Sequence, residues 1–294
     1  MLETSELSLE DYCFASKTRN SDGPGKYRHV VDAMRTCAWF HTLRMRTGAN
    51  STYEMEKLLE PDSFWVNESG TAYKRNKWRS YRLGKHTPSP ALVQAIEQMH
   101  PGSLGVLDHV LWDTLRPDCT LARHHLVNRL GPKVSKILSI PQLRKKDGNL
   151  RGDFVERIER VADLDGLACL VALLRDAINA NNDADAQRLA LALCRSEIAA
   201  GPLLYSLGIA GPFADYINDH FLCRATAEGG KYWLNSHDFL LRAKQAVQIV
   251  DIAEGNENCR FTYTEKVDYI LDILRGRYGD RSAQRIVPMR SAAL

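Results

Sequence analysis

The chain has 294 residues, of which 44% are hydrophobic and 26% charged, with 11 prolines and 19 glycines. These values are typical of globular proteins and exclude collagen-like, low-complexity and wholly disordered chains. No run approaches the roughly 18 consecutive apolar residues of a membrane-spanning helix, and the first residues, MLETSELSLEDYCF, are unlike a secretory signal. We therefore expect a cytoplasmic protein with no membrane partner.

The formal net charge of +3 conceals an uneven distribution along the chain. Residues 26–86 carry twelve basic and six acidic side chains, and residues 116–160 carry eleven basic and five acidic ones. The segments 1–25, 87–115 and 161–294 are each net negative. This asymmetry predicts an anionic partner for the N-terminal half, and leaves open whether it is DNA, RNA, a membrane surface or an acidic protein.

The first 60 residues predict a flexible acidic tail over 1–25 followed by two helices. Apolar residues recur at steps of three and four over 27–46, which predicts an amphipathic helix ending at Gly48. Ser51 or Thr52 is suited to cap a short second helix, and Pro61 stops it.

A polar loop with aromatic residues is expected over 62–70, followed by a third helix over 71–83 that ends at Gly84. Ser89 and Pro90 are suited to the N-cap and first position of a fourth helix. A fifth helix is predicted to open at Pro101-Gly102-Ser103 and to continue through Val110 and Leu111. Five short helices in about 90 residues indicate a compact helical domain.

The helical period continues beyond Pro117, with few strand signals. Further helices are predicted over 119–130, 132–139, 152–163, 166–180, 184–200, 212–225, 236–254 and 264–277. Two of these segments, GLACLVALLRDAINA and ADAQRLALALCRSEIAA, are apolar enough to be core helices. The basic stretch PQLRKKDGNLR is the candidate linker, with a phosphate clamp through Arg144, Lys145, Lys146 and Arg151 as the alternative.

The sequence therefore predicts an all-α protein with two helical domains. The predicted organisation is an acidic tail over 1–25, a DNA-binding domain over 26–116, a basic helical connector over 117–151, a dimerisation or effector domain over 152–278, and a flexible tail over 279–294.

The segment TAYKRNKWRSYRLGKH at 71–86 holds six basic residues and no acidic one, interleaved with aromatic residues. On a helix, Arg75, Arg79 and Arg82 fall along one face with Asn76 beside them, and Trp78 falls on the opposite side. One face is then cationic and polar, and the other packs on the domain. Arginine suits bidentate contact to guanine, asparagine suits adenine, and lysine suits phosphates. The alternative is a solvated helix face with no partner.

The segment from Tyr81 to Ser89, with its glycine at 84 and its Pro-Ser pair before an apolar helix, resembles the λ-repressor/Xre-type helix-turn-helix family. Residues 52–59 resemble the second helix of that family. The resemblance implies a five-helix reader over about 27–115, with the recognition helix at 71–83. It also implies a homodimer that reads paired half-sites in double-stranded DNA. The implied DNA-binding residues are Lys74, Arg75, Asn76, Lys77, Arg79, Arg82 and Lys85.

Two aromatic residues of the preceding loop, Phe64 and Trp65, have two interpretations. They either fold back as a lid over the small domain or insert beside DNA.

Motifs of catalysis and cofactor binding are absent from the sequence. It has no GxxxxGK[ST], HExxH, GxSxG or Rossmann glycine pattern, and its seven cysteines are dispersed with no CxxC pair. His124 and His125 near Cys119 do not form a convincing metal site, because adjacent residues on a helix diverge by about 100 degrees. We expect no catalytic residues, no metal and no cofactor.

The predicted function is that of a sequence-specific DNA-binding protein, a prokaryotic or phage transcription regulator associated with the nucleoid. The alternative is a DNA- or protein-docking component of a host-defence or mobile-element system, in which the C-terminal helical domain is the effector. An enzyme concealed in the C-terminal domain is a third, weaker alternative.

Overall fold

The computed structural model describes residues 28–117, 126, 128–140, 143–225, 236–257 and 259–277. The predicted tails at 1–25 and 279–294 lie outside these residues, as do most of the predicted helix 119–130 and the His124–His125 pair. The described chain forms two compact units. The first unit comprises 28–108 together with 205–212, and the second comprises 109–204 with the described residues from 213 onward.

The described residues are mostly helical, which confirms the all-α prediction at that level. The helices are α1 Val30–Thr47, α2 Thr52–Leu59, α3 Lys77–Arg82, α4 Pro90–Met99, α5 Ser103–Leu107, α6 Val110–Leu115, α7 Pro132–Leu138, α8 Gly152–Glu159, α9 Leu164–Asn179, α10 Asp183–Ala199, α11 Gly201–Ser206, α12 Ala210–His220, α13 Ser236–Glu257 and α14 Tyr263–Leu274. Short 3-10 turns occupy Pro61–Ser63 and Leu222–Arg224. The described strands are β1 Phe64–Val66 and β2 Ala72–Lys74, which pair antiparallel.

The predicted ends of the early helices are confirmed by their capping geometry. Helix α1 ends at Gly48, which has φ of 68° in the left-handed region that glycine favours. The Ser51 hydroxyl accepts a hydrogen bond from the Glu54 amide at the start of α2, and the Ser89 hydroxyl accepts one from the Leu92 amide at the start of α4. These interactions depend only on residues near in sequence, so they could be predicted.

The core of the first unit is built around aromatic rings of α1 and α3. Trp78 is fully buried and stacks on Trp39 with ring centroids 5.7 Å apart, and the Tyr81 ring meets both indoles edge-on. The prediction that Trp78 and Tyr81 belong to the core is therefore confirmed. Burial of such large rings makes α3 a rigid part of the unit.

The prediction of one helix over 71–83 is wrong. Ala72–Lys74 is a strand that pairs with Phe64–Val66, and helix α3 begins only at Lys77. In the turn between the two strands, the Asn67 side-chain oxygen accepts a hydrogen bond from the Thr71 amide at 2.7 Å. Pairing with a strand six residues earlier competed with the helical period, and short segments with aromatic and β-branched residues favour the strand. The expected loop at 62–70 is likewise mostly hairpin.

The prediction of one fifth helix through Val110 and Leu111 is also wrong. Helix α5 ends at Leu107, and α6 begins at Val110, where the His109 imidazole accepts a hydrogen bond from the Leu111 amide. The division between the two units falls at this break, eight residues before the predicted boundary at 116. A later segment, 205–212, belongs to the first unit although it lies far away in the sequence.

The second unit has its core at α9 and α10, as their apolar sequences predicted. Leu167, Leu170 and Leu174 of α9 are fully buried, as are Leu189 and Leu193 of α10. The apolar stripe of each helix recurs at three- and four-residue steps, so each helix buries a continuous face.

The expected linker at 141–151 is instead anchored in the second unit over its described residues, 143–151. Leu150 is 1% exposed, and its amide donates to the buried carboxylate of Asp185 at 2.9 Å. The Arg144 guanidinium donates to the same carboxylate at 3.2 Å, and Arg151 pairs with Asp153. This anchoring could not be predicted from the sequence, because Asp185 lies 35 residues after Leu150.

Candidate nucleic-acid interface

Helix α3 presents one buried and one exposed side. Trp78 and Tyr81 face the core, while Arg79 is exposed and forms no ion pair with the described residues. The predicted apolar side of the helix is confirmed, whereas of its three basic residues only Arg79 is exposed and Lys77 and Arg82 are half-buried. Because Trp78 fixes the helix, the Arg79 guanidinium projects from a rigid support.

Two glutamates, Glu56 of α2 and Glu60 just after it, bind the donor groups at the N-terminal end of α3. The Lys77 amide donates to Glu56 at 3.3 Å, and the Lys77 ammonium pairs with Glu60 at 2.8 Å. The Trp78 indole N–H donates to the other Glu60 oxygen at 3.1 Å. Lys77 was predicted to contact phosphate, but its charge is already engaged within the unit. This ion pair could not be predicted from the sequence, since the partners are 17 residues apart.

Arg75 and Asn76 precede the helix instead of forming its first turn, which corrects their predicted places on a helix face. Both side chains are exposed, and Asn76 has φ of 55°, in the left-handed region. The Arg75 guanidinium carbon lies 5.9 Å from the centre of the Trp65 ring, a cation–π distance. Lys74 lies on β2, in the backbone position paired with Phe64.

The two hairpin aromatics behave differently from one another. The Phe64 ring meets the Tyr53 ring edge-on at 5.3 Å, which agrees with packing against the unit. Trp65 is 45% exposed beside Arg75, so it does not form a lid.

The C-terminal end of α3 is held against α1. Gly84 has φ of 62°, and the Lys85 amide donates to the Ser80 carbonyl at 2.8 Å, which closes the helix. The Cys37 thiol donates to the Arg82 carbonyl at 2.7 Å, and Arg28 donates to the Gly84 carbonyl. The half-buried Lys85 forms no ion pair with the described residues, so its charge remains available on this side of the unit.

A second source of positive charge lies next to α3, on α1. Burial, together with the charges of Arg44 and Arg82, lowers the pKa of His41 to about 3. The pKa of Arg44 is lowered by burial and by Arg82. His41 is therefore neutral near pH 7, and two guanidinium groups from different helices lie close together. Arg44 was missed in the sequence because it lies 38 residues before Arg82.

The described residues contain no group of three or more histidine, cysteine or acidic side chains placed to hold a metal ion. Over the same part of the chain, no helix is both long and apolar enough to cross a membrane. Comparisons with protein-family models, curated proteins and solved structures return no match.

Proposed function

We propose that the first unit binds double-stranded DNA through the α3 surface, defined as Arg75, Asn76, Arg79 and Lys85. The observation that carries the proposal is the exposed Arg79 guanidinium, free of any carboxylate in the described chain, on a helix fixed by the buried Trp78. A charged group on a rigid support loses little conformational freedom on binding, which favours specific contacts.

The residues of the α3 surface divide by the contacts they suit. Arg75, Asn76 and Arg79 carry planar groups that form paired hydrogen bonds with base edges. Lys85, beyond the helix end, suits a phosphate. Arg44 and Arg82 add positive potential without requiring direct contact. Lys77 is assigned no DNA contact, since Glu60 holds it.

In this proposal the protein is a sequence-specific regulator, and the λ-repressor/Xre resemblance of residues 52–59 and 81–89 supports it. The same resemblance supports a homodimer on paired half-sites. We propose that the reader differs from that family by the hairpin between α2 and α3, so that Arg75 and Asn76 would contact DNA from a turn.

The second candidate is sequence-independent docking on DNA within a defence or mobile-element system. The observation that favours it is the exposed Trp65–Arg75 pair on the hairpin, where the Arg75 guanidinium carbon lies 5.9 Å from the centre of the Trp65 ring. A cation and an aromatic face suit contact with any sequence. The start of α3, where Glu56 and Glu60 accept the Lys77 and Trp78 donors, would then take no part in binding.

Binding-site selection with the purified full chain, followed by titration at several salt concentrations, tests the proposal. Arg75→Ala and Arg79→Ala should each cost about 1–3 kcal/mol on the selected site and relax discrimination at one base pair. Lys85→Ala should weaken binding to all sequences alike and reduce the salt slope by about one.

Lys77→Ala is the matched control, because it removes a lysine of the same segment whose charge Glu60 neutralises. It should leave the salt slope unchanged. Equal losses of Arg75→Ala and Arg79→Ala on selected and random DNA would favour sequence-independent docking. Binding that is equal for selected and competitor DNA would refute the sequence-specific candidate, and absence of binding to any duplex would refute both.

A further inference from the structure

A cleft of about 220 Å³ lies in the second unit, between the C-terminal parts of α9 and α12. Its polar lining consists of Arg175, Asn179, His220 and Arg224. No carboxylate of the described residues lines it. A concave site with two guanidinium groups and no acid has positive potential, which attracts an anion.

Arg175 packs against an aromatic ring, but part of its hydrogen-bonding capacity is unused among the described residues. Its guanidinium carbon lies 5.3 Å from the centre of the Phe221 ring, and Phe221 is 4% exposed. The Arg175 Nη1 atom is buried and has no hydrogen-bond partner among the described residues. A buried N–H without an acceptor is costly, so an oxyanion at this point would relieve that cost.

The remaining walls of the cleft include two neighbouring aromatic rings and several apolar side chains. The Tyr216 hydroxyl donates to the Leu115 carbonyl at 2.7 Å, which fixes the ring. The His220 ring lies 4.2 Å from the Tyr216 ring, with an angle of 36° between their planes. Pro117 and Ile178 complete the apolar lining. Such walls suit a planar ring attached to the anionic group.

We infer that this cleft binds a small organic oxyanion whose carboxylate or phosphate is attached to a flat ring. Arg175 and Arg224 bind the oxyanion by charge-assisted hydrogen bonds, and the Asn179 amide provides a further donor. The ring lies against the aromatic and apolar walls. The site does not depend on DNA binding by the first unit.

Isothermal titration calorimetry of the full chain at constant ionic strength tests the assignment. The probes are inorganic phosphate, benzoate and adenosine monophosphate. We expect saturable binding of one molecule per chain, tighter for at least one of the ring-bearing probes than for inorganic phosphate. Arg175→Gln and Arg224→Gln should each weaken that binding by about tenfold, the effect of one charge-assisted hydrogen bond.

Arg157→Gln is the matched control, because Arg157 is an exposed arginine of α8 that does not line the cleft. It should bind as the unchanged protein does. Arg224 is exposed, so Arg224→Gln should keep its melting temperature even where Arg175→Gln does not. Failure of all three probes to saturate at millimolar concentration would overturn the inference, as would equal binding by Arg224→Gln. Equal affinity for all three probes would overturn the role of the ring.

Discussion

Two buried glutamates of the second unit differ in their partners. The Glu159 carboxylate is fully buried and accepts hydrogen bonds from Arg195 and Arg275, each at 2.6 Å. Glu197 is equally buried, but neither of its oxygens has a hydrogen-bond partner among the described residues. Burial, with the charge of Asp215, raises the pKa of Glu197 to about 8. Glu159 is thus held between two cations, while Glu197 is mostly protonated near pH 7.

Removing the charge of Glu159 should destabilise the second unit strongly. Glu159→Gln leaves Arg195 without an ion pair among the described residues and leaves Arg275 only its longer contacts with Glu156 and Asp272, so we expect a loss of about 3–5 kcal/mol in the free energy of unfolding. Urea denaturation followed by circular dichroism measures it. Glu156→Gln is the control on the same helix, since Glu156 is half-exposed and lies 3.7 Å from Arg275. It should cost less than about 1 kcal/mol, and equal losses in both variants would contradict the prediction.

Glu197 should make the stability depend on pH. Its pKa is about 8 in the folded protein and close to 4.5 when unfolded, so the folded state binds the additional proton between these values. Raising the pH through this window therefore lowers the free energy of unfolding, by up to about 1.4 kcal/mol per pH unit. The glutamine of Glu197→Gln cannot lose a proton. As the pH rises from about 5 to 8, the variant should therefore become increasingly stable relative to the unchanged protein.

Urea titrations at several pH values between about 5 and 8 measure that difference, and other titrating groups cancel in the comparison. Parallel stability curves for the two proteins would show that Glu197 does not carry a raised pKa.

At the scale of elements, the placement of α3 depends on how closely its end approaches α1. A Cβ atom built on Gly84 would lie 2.8 Å from the Ala33 carbonyl oxygen and 2.9 Å from the Ala33 Cα. These are backbone atoms, so they cannot move aside without displacing α1. Glycine is required at this position both by that approach and by φ of 62°. The α3 surface is therefore positioned by a backbone contact.

Gly84→Ala should accordingly destabilise the first unit by about 2–4 kcal/mol, through backbone strain and displacement of α1. Gly105→Ala is the matched control, since Gly105 lies within α5 and an added Cβ would meet nothing within 4 Å. It should be neutral or stabilise by up to about 1 kcal/mol. Thermal melts of the two variants measure the contrast. A melt of Gly84→Ala that matches the unchanged protein would refute the role given to this contact.

At the scale of the whole molecule, the first unit is assembled from two separate parts of the chain. The segment 205–212 belongs to it, and Leu207 and Ile209 of that segment are buried. Gly208 lies so close to the His41 ring that an added Cβ would approach it to 2.5 Å. His41 itself is 5% exposed. The segment thus covers a residue near the middle of α1.

A fragment of residues 26–116 should therefore fold poorly, although its sequence reads as a complete domain. It lacks 205–212, so His41 and the apolar surface around it would be exposed to water. We expect narrow amide dispersion in a ¹H–¹⁵N spectrum and no cooperative melt, with the full chain as the reference. A dispersed spectrum and a sharp transition for the fragment would contradict this.

The sequence by itself determined the features that depend on near neighbours. The helical period placed α9 and α10 within a few residues of their observed bounds, and capping residues marked the ends of α1 and the starts of α2 and α4. The period also assigned Trp78 and Tyr81 to the core and left Arg79 exposed. In each of these cases the pattern that predicts the feature lies within a single helix or its ends, even where the packing partner, such as Trp39 for Trp78, lies on another helix.

The tertiary structure decided the rest. Residues 72–74 form strand β2 instead of the first turn of the predicted helix, because they pair with β1. Lys77 forms an ion pair with Glu60 instead of remaining free for a phosphate. The Asp185 carboxylate accepts the Leu150 amide and so holds the expected linker in the second unit. Arg175 and Arg224 line the same cleft although they are 49 residues apart in sequence. Each of these outcomes depends on groups distant along the chain. Local propensity is a weak preference that such contacts override, because they bury charge and apolar surface together.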